Sequence, residues 1–352
     1  MKRRWRALLV LGGVALVAAA VPVGYIETRC RRGDAPRVPY RAILPPAEWR
    51  AEARTWLTYP EWHIVHSADS LGRYLNGGGR PSGYDYRGDV AGFWRSYCAV
   101  NRVADPADAG AAKLMLYTIG LSFSIEMGVK AAWEGTIGRL AELASGWTSA
   151  NDRYAAGVQQ RYGAFMHETP WYAFPFGQAL AGLWRTRASG EYLRHWERRV
   201  ALSAEYGVKA VYATAIGAAS GATLGRDQLT LRFVARDAPA RIAAIDARLK
   251  PVARRGALTV VEAPRYAQFS DLLARMASRR VALVEIAGND DIFLTALLPP
   301  RAATPPGALI DMPLGDRPGW RRVGFTVKVP RLLPTMTAIA RAGGSVEHVH
   351  DY

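Results

Sequence analysis

Residues 124–138 and 203–217 carry the same pattern twice. The first reads Ser-Ile-Glu-Met-Gly-Val-Lys-Ala-Ala-Trp-Glu-Gly-Thr-Ile-Gly and the second Ser-Ala-Glu-Tyr-Gly-Val-Lys-Ala-Val-Tyr-Ala-Thr-Ala-Ile-Gly. Self-similarity of this kind points to a duplicated structural unit. It extends upstream: Ala91-Gly92-Phe93-Trp94-Arg95 returns as Ala181-Gly182-Leu183-Trp184-Arg185, and Thr58-Tyr59-Pro60-Glu61-Trp62 is echoed by Thr169-Pro170-Trp171-Tyr172. The blocks keep their order, with one insertion in the first copy. The sequence thus predicts a duplicated all-helical domain over 49–225, with repeats at about 55–147 and 163–225 related by a pseudo-twofold axis.

The repeated block has the composition of a helix, rich in Ala, Glu, Lys and Met and free of proline. At 100° per residue, Ser124, Gly128 and Ala131 share one side, as do Ser203, Gly207 and Ala210. Small residues at this spacing allow close approach, so the two helices are expected to touch along this stripe. Glu126, Lys130 and Trp133 lie on the other side, matched by Glu205, Lys209 and Tyr212. Glu and Lys at i, i+4 face each other. Only Lys2, Lys113, Lys130, Lys209, Lys250 and Lys328 are lysines among 46 basic residues, yet both copies place one here. An ammonium differs from a guanidinium in shape and in its response to burial. These six residues are the candidate site: an ion-pair network between repeats, or a ligand or catalytic centre.

Residues 7–24 are apolar and follow Lys2, Arg3, Arg4 and Arg6. The run just suffices to span a bilayer, and a cleavable signal peptide has the same plan. The expectation is a single-pass anchor over 1–25 in the inner membrane, with periplasmic domains beyond a Pro- and Arg-rich linker at 26–48. Membrane lipid at this helix and a membrane protein are the expected partners. A weaker alternative takes the repeat helices themselves through the membrane as a transport-like core.

The net charge of +16 comes from arginines scattered along the chain. No nucleic-acid module is readable, and no nucleic-acid partner is expected. Two cysteines, Cys30 and Cys98, are too few for a disulfide scaffold and are expected as free thiols. Glu61, His63 and His66 could share a metal on a helix, but no further ligand motif completes the set. His348 and His350 share one face of a C-terminal strand, either as a zinc pair or, more simply, exposed to solvent. Asn76-Gly77-Gly78-Gly79-Arg80 lacks the Lys-Ser/Thr of a phosphate loop. Neither nucleophile elbow nor dinucleotide fingerprint occurs, and no cofactor is expected.

After Gly225 the texture changes to an α+β domain, 226–352. Strands are predicted at 229–235, 258–262, 281–287, 292–298, 322–329 and 345–350. Helices are predicted at 239–250, 266–278 and 335–342. Gly288-Asn289-Asp290-Asp291 reads as a hairpin turn. The order suggests one mixed sheet with helices on one face, ferredoxin-like in character. Taken together, the sequence suggests a membrane-anchored binding or assembly protein, with a receptor or enzyme built on the Glu/Lys pairs as the alternative.

Overall fold

The computed structural model describes residues 20–31, 40–49, 59–103, 109–146, 148–220 and 230–350. The chain is mixed α/β: helices fill its first two thirds, and two antiparallel four-stranded sheets lie in the C-terminal part.

The helical part opens with α1, 20–29. Then come α2 (Tyr59–Asn76), a 3₁₀ turn (Pro81–Gly83), α3 (Tyr86–Asn101) and α4 (Ala109–Trp133). A π-helical turn, Glu134–Gly138, carries α4 into α5 (Arg139–Ser145). The same order follows: α6 (Ala150–Met166), a 3₁₀ turn (Trp171–Ala173), α7 (Phe176–Arg185) and α8 (Tyr192–Ser220). Local chemistry sets the starts. Asp85 caps α3 through Gly88 N–H, and Ser149 with Asp152 forms a reciprocal capping box on α6. Helices α2 and α6 pack closely, with Gly72 against the backbone of Gln160 and Gly163 against Asp69.

Among the described residues no helix is long and apolar enough to cross a membrane. This overturns the single-pass transmembrane anchor, the inner-membrane placement resting on it, and the multi-span alternative. Positions 7–19 of the apolar run lie outside the described residues. Within the segment read as linker, Ile26 and Cys30 are buried in the helical core. Cys30 is bonded to Cys98 on α3, so the two are a disulfide rather than free thiols. The fold brings together two cysteines 68 positions apart, which spacing alone does not reveal.

The C-terminal part runs β1 (Thr230–Ala235), α9 (Pro239–Ala243), β2 (Lys250–Arg255), β3 (Leu258–Pro264), α10 (Tyr266–Ser278), β4 (Leu283–Ile286), β5 (Asp291–Leu298), β6 (Ile310–Pro313), β7 (Arg321–Lys328), α11 (Val329–Arg341) and β8 (Ser345–His350). The sheets have orders β2-β3-β1-β4 and β6-β7-β5-β8, which is one topology used twice. The expected single mixed sheet is therefore two antiparallel ones. Strand β2 was hidden by its exposed, arginine-rich sequence, and β6 by the surrounding prolines. The expected hairpin at 288–291 is a crossing between sheets. Ala287 and Gly288 both adopt positive φ, and only an isolated bridge joins Ile286 to Asn289.

One core unites the inner faces of both sheets with α10 and α11. Helix α10 packs on β8 of the second sheet, and α11 on β4 of the first. The outer face of the first sheet, at Val234 and Val260, is covered by Leu44. Buried Glu285 fixes that covering segment by accepting from Tyr40 Oη and the amides of Ile43 and Leu44. The outer face of the second sheet meets the helical part, where Phe293 and Ile310 join the core of α2, α3 and α4.

Candidate functional site

The structure brings the four charged repeat residues into one closed ring between α4 and α8. Lys130 Nζ lies 2.9 Å from both Glu126 Oε1 and Glu205 Oε1. Lys209 Nζ lies 2.8 Å from Glu126 Oε1 and 3.3 Å from Glu205 Oε1. Each cation touches both anions, and exchanging the repeats maps the ring onto itself. Burial disfavours the ammonium of Lys130, but Glu205 and Glu126 outweigh it and hold its pKa well above the lysine range. Lys209 is raised in the same way, against burial, chiefly by Glu126. Burial works against the charge on Glu126 too, yet Lys209 and Lys130 pull its pKa well below the usual carboxylate range. Lys209 also sits 4.9 Å from the ring centre of Tyr162.

A second contact recurs at matching positions of the two similar segments. Trp94 Nε1 donates to Ser124 Oγ at 3.0 Å, and Trp184 Nε1 donates to Ser203 Oγ at 3.0 Å. The remaining site residues diverge. Trp133 donates to Glu197 Oε1 at 2.6 Å, whereas Tyr212 is exposed and tilts over Trp171 at 5.4 Å.

The small-residue stripe does not join the two helices. A Cβ added at Gly128 or at Gly207 would meet nothing within 4 Å. The helices face each other through their charged sides, because paired long side chains fill the gap between them.

Next to the ring, sequence reasoning missed a buried ionic network. Arg194 is fully buried and bonds Asp152 (2.9 Å), Glu197 (2.8 Å) and the carbonyl of Gly138 (3.2 Å). Arg198 pairs with Glu134 in the π-helical turn and approaches Asp152 at 3.3 Å. The only local signal was Arg194 and Glu197 at i, i+3. A cavity of about 240 Å³ adjoins Asp152 and Arg198 and is bordered by Gly78 and Gly79 of the glycine loop. The loop amides are spent on the end of α2: Gly77 N–H donates to Arg73 O, and Gly79 N–H to Tyr74 O.

Glu61, His63 and His66 do not assemble a metal centre. Among the described residues no group of three or more His, Cys, Asp or Glu is placed to hold one. His63 Nε2 meets the carbonyl of Asp89 at 2.9 Å, and His66 Nε2 lies 3.3 Å from Glu347. His348 and His350 are not exposed to solvent: both are buried against α2, and His348 stacks on Trp62 at 3.6 Å between ring centres.

The outward faces of α4 and α8 are apolar and exposed. On α4 and its continuation through α5, the outward row is Leu114, Thr118, Ser122, Ile125, Val129, Ala132, Thr136, Leu140 and Leu143. On α8 it is Leu193, Trp196, Val200, Ala204, Val208, Val211 and Ala215. Every one of these residues is exposed, none is charged, and the spacing follows one helix face. Exposure reaches 67% at Ile125, 63% at Val129, 69% at Val208 and 74% at Val211. Exposed apolar surface is normal when scattered, but a contiguous row on a helix normally faces a partner.

No family model matches the chain, and neither a curated protein nor a solved structure matches it.

Proposed function

We propose that the chain is a non-catalytic binding and assembly protein that docks apolar helices of a partner protein on the outer faces of α4 and α8. The observation that carries this reading is the pair of uncharged exposed rows, present in both repeats at corresponding positions. Ile125, Val129, Ala132 and Thr136 of the first copy answer Ala204, Val208, Val211 and Ala215 of the second. Gly128 and Gly207, with open space above them, let an incoming helix approach the backbone closely. An occupant without charge on its contact face fits, because a buried unpaired charge would be costly there.

Two duplications build the platform in this reading. The helical part is a pseudo-twofold pair, α2 to α5 and α6 to α8, locked by the Lys–Glu ring. The C-terminal part is a pair of ferredoxin-like halves, the second lacking its first crossover helix. The ring itself suits a structural role. Each ammonium is engaged by two carboxylates and held protonated, so no neutral amine is available as a nucleophile.

The test is a pair of charge insertions, Val129→Glu and Val208→Glu, in the full chain. Both sites are exposed, so the thermal midpoint should stay within a few degrees of the parent. Co-purification of a stoichiometric partner should be lost in each. Partner binding that survives both substitutions sinks the proposal.

A further inference from the structure

Arg236, Arg241, Arg254, Arg255, Arg279 and Arg280 are exposed and gather at one end of the first sheet. Arg236 follows β1 and donates its amide to the carbonyl of Ala282, just before β4, at 2.9 Å. Asp237 accepts from the Ala282 amide at 2.7 Å and pairs with Arg241 of α9. Arg241 reaches the carbonyl of Arg279 at 2.9 Å, and Arg280 follows it at the end of α10. Thr259 of β3 donates to the carbonyl of Asp237 at 2.7 Å and stands opposite Arg254 of β2, with Arg255 next in the strand. We propose that this end of the sheet, together with the open edge of β2, binds an extended acidic polypeptide segment as a fifth strand.

Little of this charge is answered within the chain. Asp237 is buried and already held by Arg241 and the Ala282 amide. Glu48 lies 2.8 Å from Arg232 and 4.0 Å from Arg255, whose Nη1 also donates to the carbonyl of Ile43. Among the described residues no carboxylate pairs with Arg236, Arg254, Arg279 or Arg280. Guanidinium groups grip carboxylates through two parallel hydrogen bonds, so a cluster of them fits an acidic partner.

Strand β2 supplies the backbone for such a partner. It pairs with β3 on one side and, among the described residues, with no strand on the other. Val252, Ala253, Arg254 and Arg255 are all exposed. An added strand takes up the N–H and C=O groups of that edge, and its alternate side chains point to one face, where carboxylates meet the arginines. Pro251 and the register shift before Ala253 blunt the edge. Two copies of this chain pairing there would set arginine against arginine, so the edge excludes its own kind and admits an acidic strand. Among the described residues Val252 is the large apolar side chain that this sheet exposes. The face thus lacks the aromatic platforms of a single-stranded nucleic-acid site and the apolar face of a membrane-binding one.

The test uses the full chain and a fluorescein-labelled peptide of alternating Glu and Val, with a Lys/Val peptide, duplex DNA and phosphatidylserine vesicles for comparison. The Glu/Val peptide should bind and the Lys/Val peptide should not. Affinity should fall steeply as salt rises from about 50 to about 300 mM. In hydrogen–deuterium exchange, β2 amides should gain protection on binding while those of β1 and α10 stay as they were. Arg254→Glu/Arg279→Glu, at exposed positions, should weaken binding roughly 10-fold or more. Unchanged exchange of β1 and α10 in that variant shows that it folds. Arg185→Glu, exposed on α7, should leave binding unaltered. No binding of the Glu/Val peptide, binding without protection of β2, or full affinity in the Arg254→Glu/Arg279→Glu chain overturns the proposal. So does tighter binding of duplex DNA or of the vesicles at the same salt, which makes the arginines a phosphate-binding surface instead.

Discussion

Lys130 of the first repeat helix and Glu205 of the second stand 2.9 Å apart, and the equivalent pair, Lys209 and Glu126, stands 2.8 Å apart. These two contacts bridge matching positions of the similar segments 124–138 and 203–217, and they tie α4 to α8.

Replacing Lys130 with Met strands Glu126 and Glu205 beside a single remaining cation. The cost should be about 3 kcal/mol, the low end for a buried pair, because Glu126 keeps a third of its side-chain surface in water. Changing all four ring residues to apolar ones of similar size should recover most of that loss. Urea melts of the two variants check this, and a Lys130→Met chain as stable as the parent contradicts a structural ring.

Gly92 and Gly182 hold equivalent repeat positions and leave room for a ring. A Cβ at Gly92 would come within 2.5 Å of His63 Cε1, and one at Gly182 within 2.0 Å of Tyr154 Oη. Gly92→Ala and Gly182→Ala should each destabilise by about 1–3 kcal/mol through overpacking. Thermal unfolding measures it, and neutral substitutions would mean both rings move freely.

Reduction should loosen the N-terminal helix from α3. Cys30 and Cys98 close a loop of 68 residues, for which chain entropy gives about 4 kcal/mol. Besides the disulfide, Asn101 Nδ2 donates to Cys30 O and Tyr117 Oη to Glu27. Cys30→Ser/Cys98→Ser should lower the midpoint of unfolding while the C-terminal sheets retain their exchange protection. An unchanged midpoint would show that those hydrogen bonds suffice.

Stability should fall with acid before the carboxylates titrate. A histidine whose folded pKa is depressed binds protons in the unfolded chain first, so its contribution is lost as pH drops below the unfolded value of about 6.5. At about pH 5, His63 and His350, both near 3 when folded, each cost about 2 kcal/mol. His167, with a raised pKa, adds stability over the same descent. Denaturant melts from about pH 7.5 to 5 should show a net loss, and a flat profile would contradict buried neutral imidazoles.

The helical character of the first two thirds was legible because apolar and small residues recur at helical spacing without proline, and most strands because apolar residues alternate. Helix α10 and strand β8 fall at their predicted bounds, 266–278 and 345–350. The stripe Ser124, Gly128, Ala131 was misread, since small residues permit close packing on either side of a helix and cannot say which side is occupied. The buried histidine joint was illegible because His66 and His348 are far apart in sequence and meet only when β8 folds against α2. Edge strands β2 and β6 escaped because charge and proline suppress the alternation a paired strand normally shows.

Photo-crosslinking reads directly whether a partner docks on the outer faces of α4 and α8. A photoreactive residue at Val129 and another at Val208 should each give a discrete adduct with one partner protein, mapped to an uncharged helix face. The same probe at Arg185, exposed but on α7, should give none. Adducts at Arg185 as strong as those at Val129 and Val208, or none at the two valines, would contradict docking on these helices.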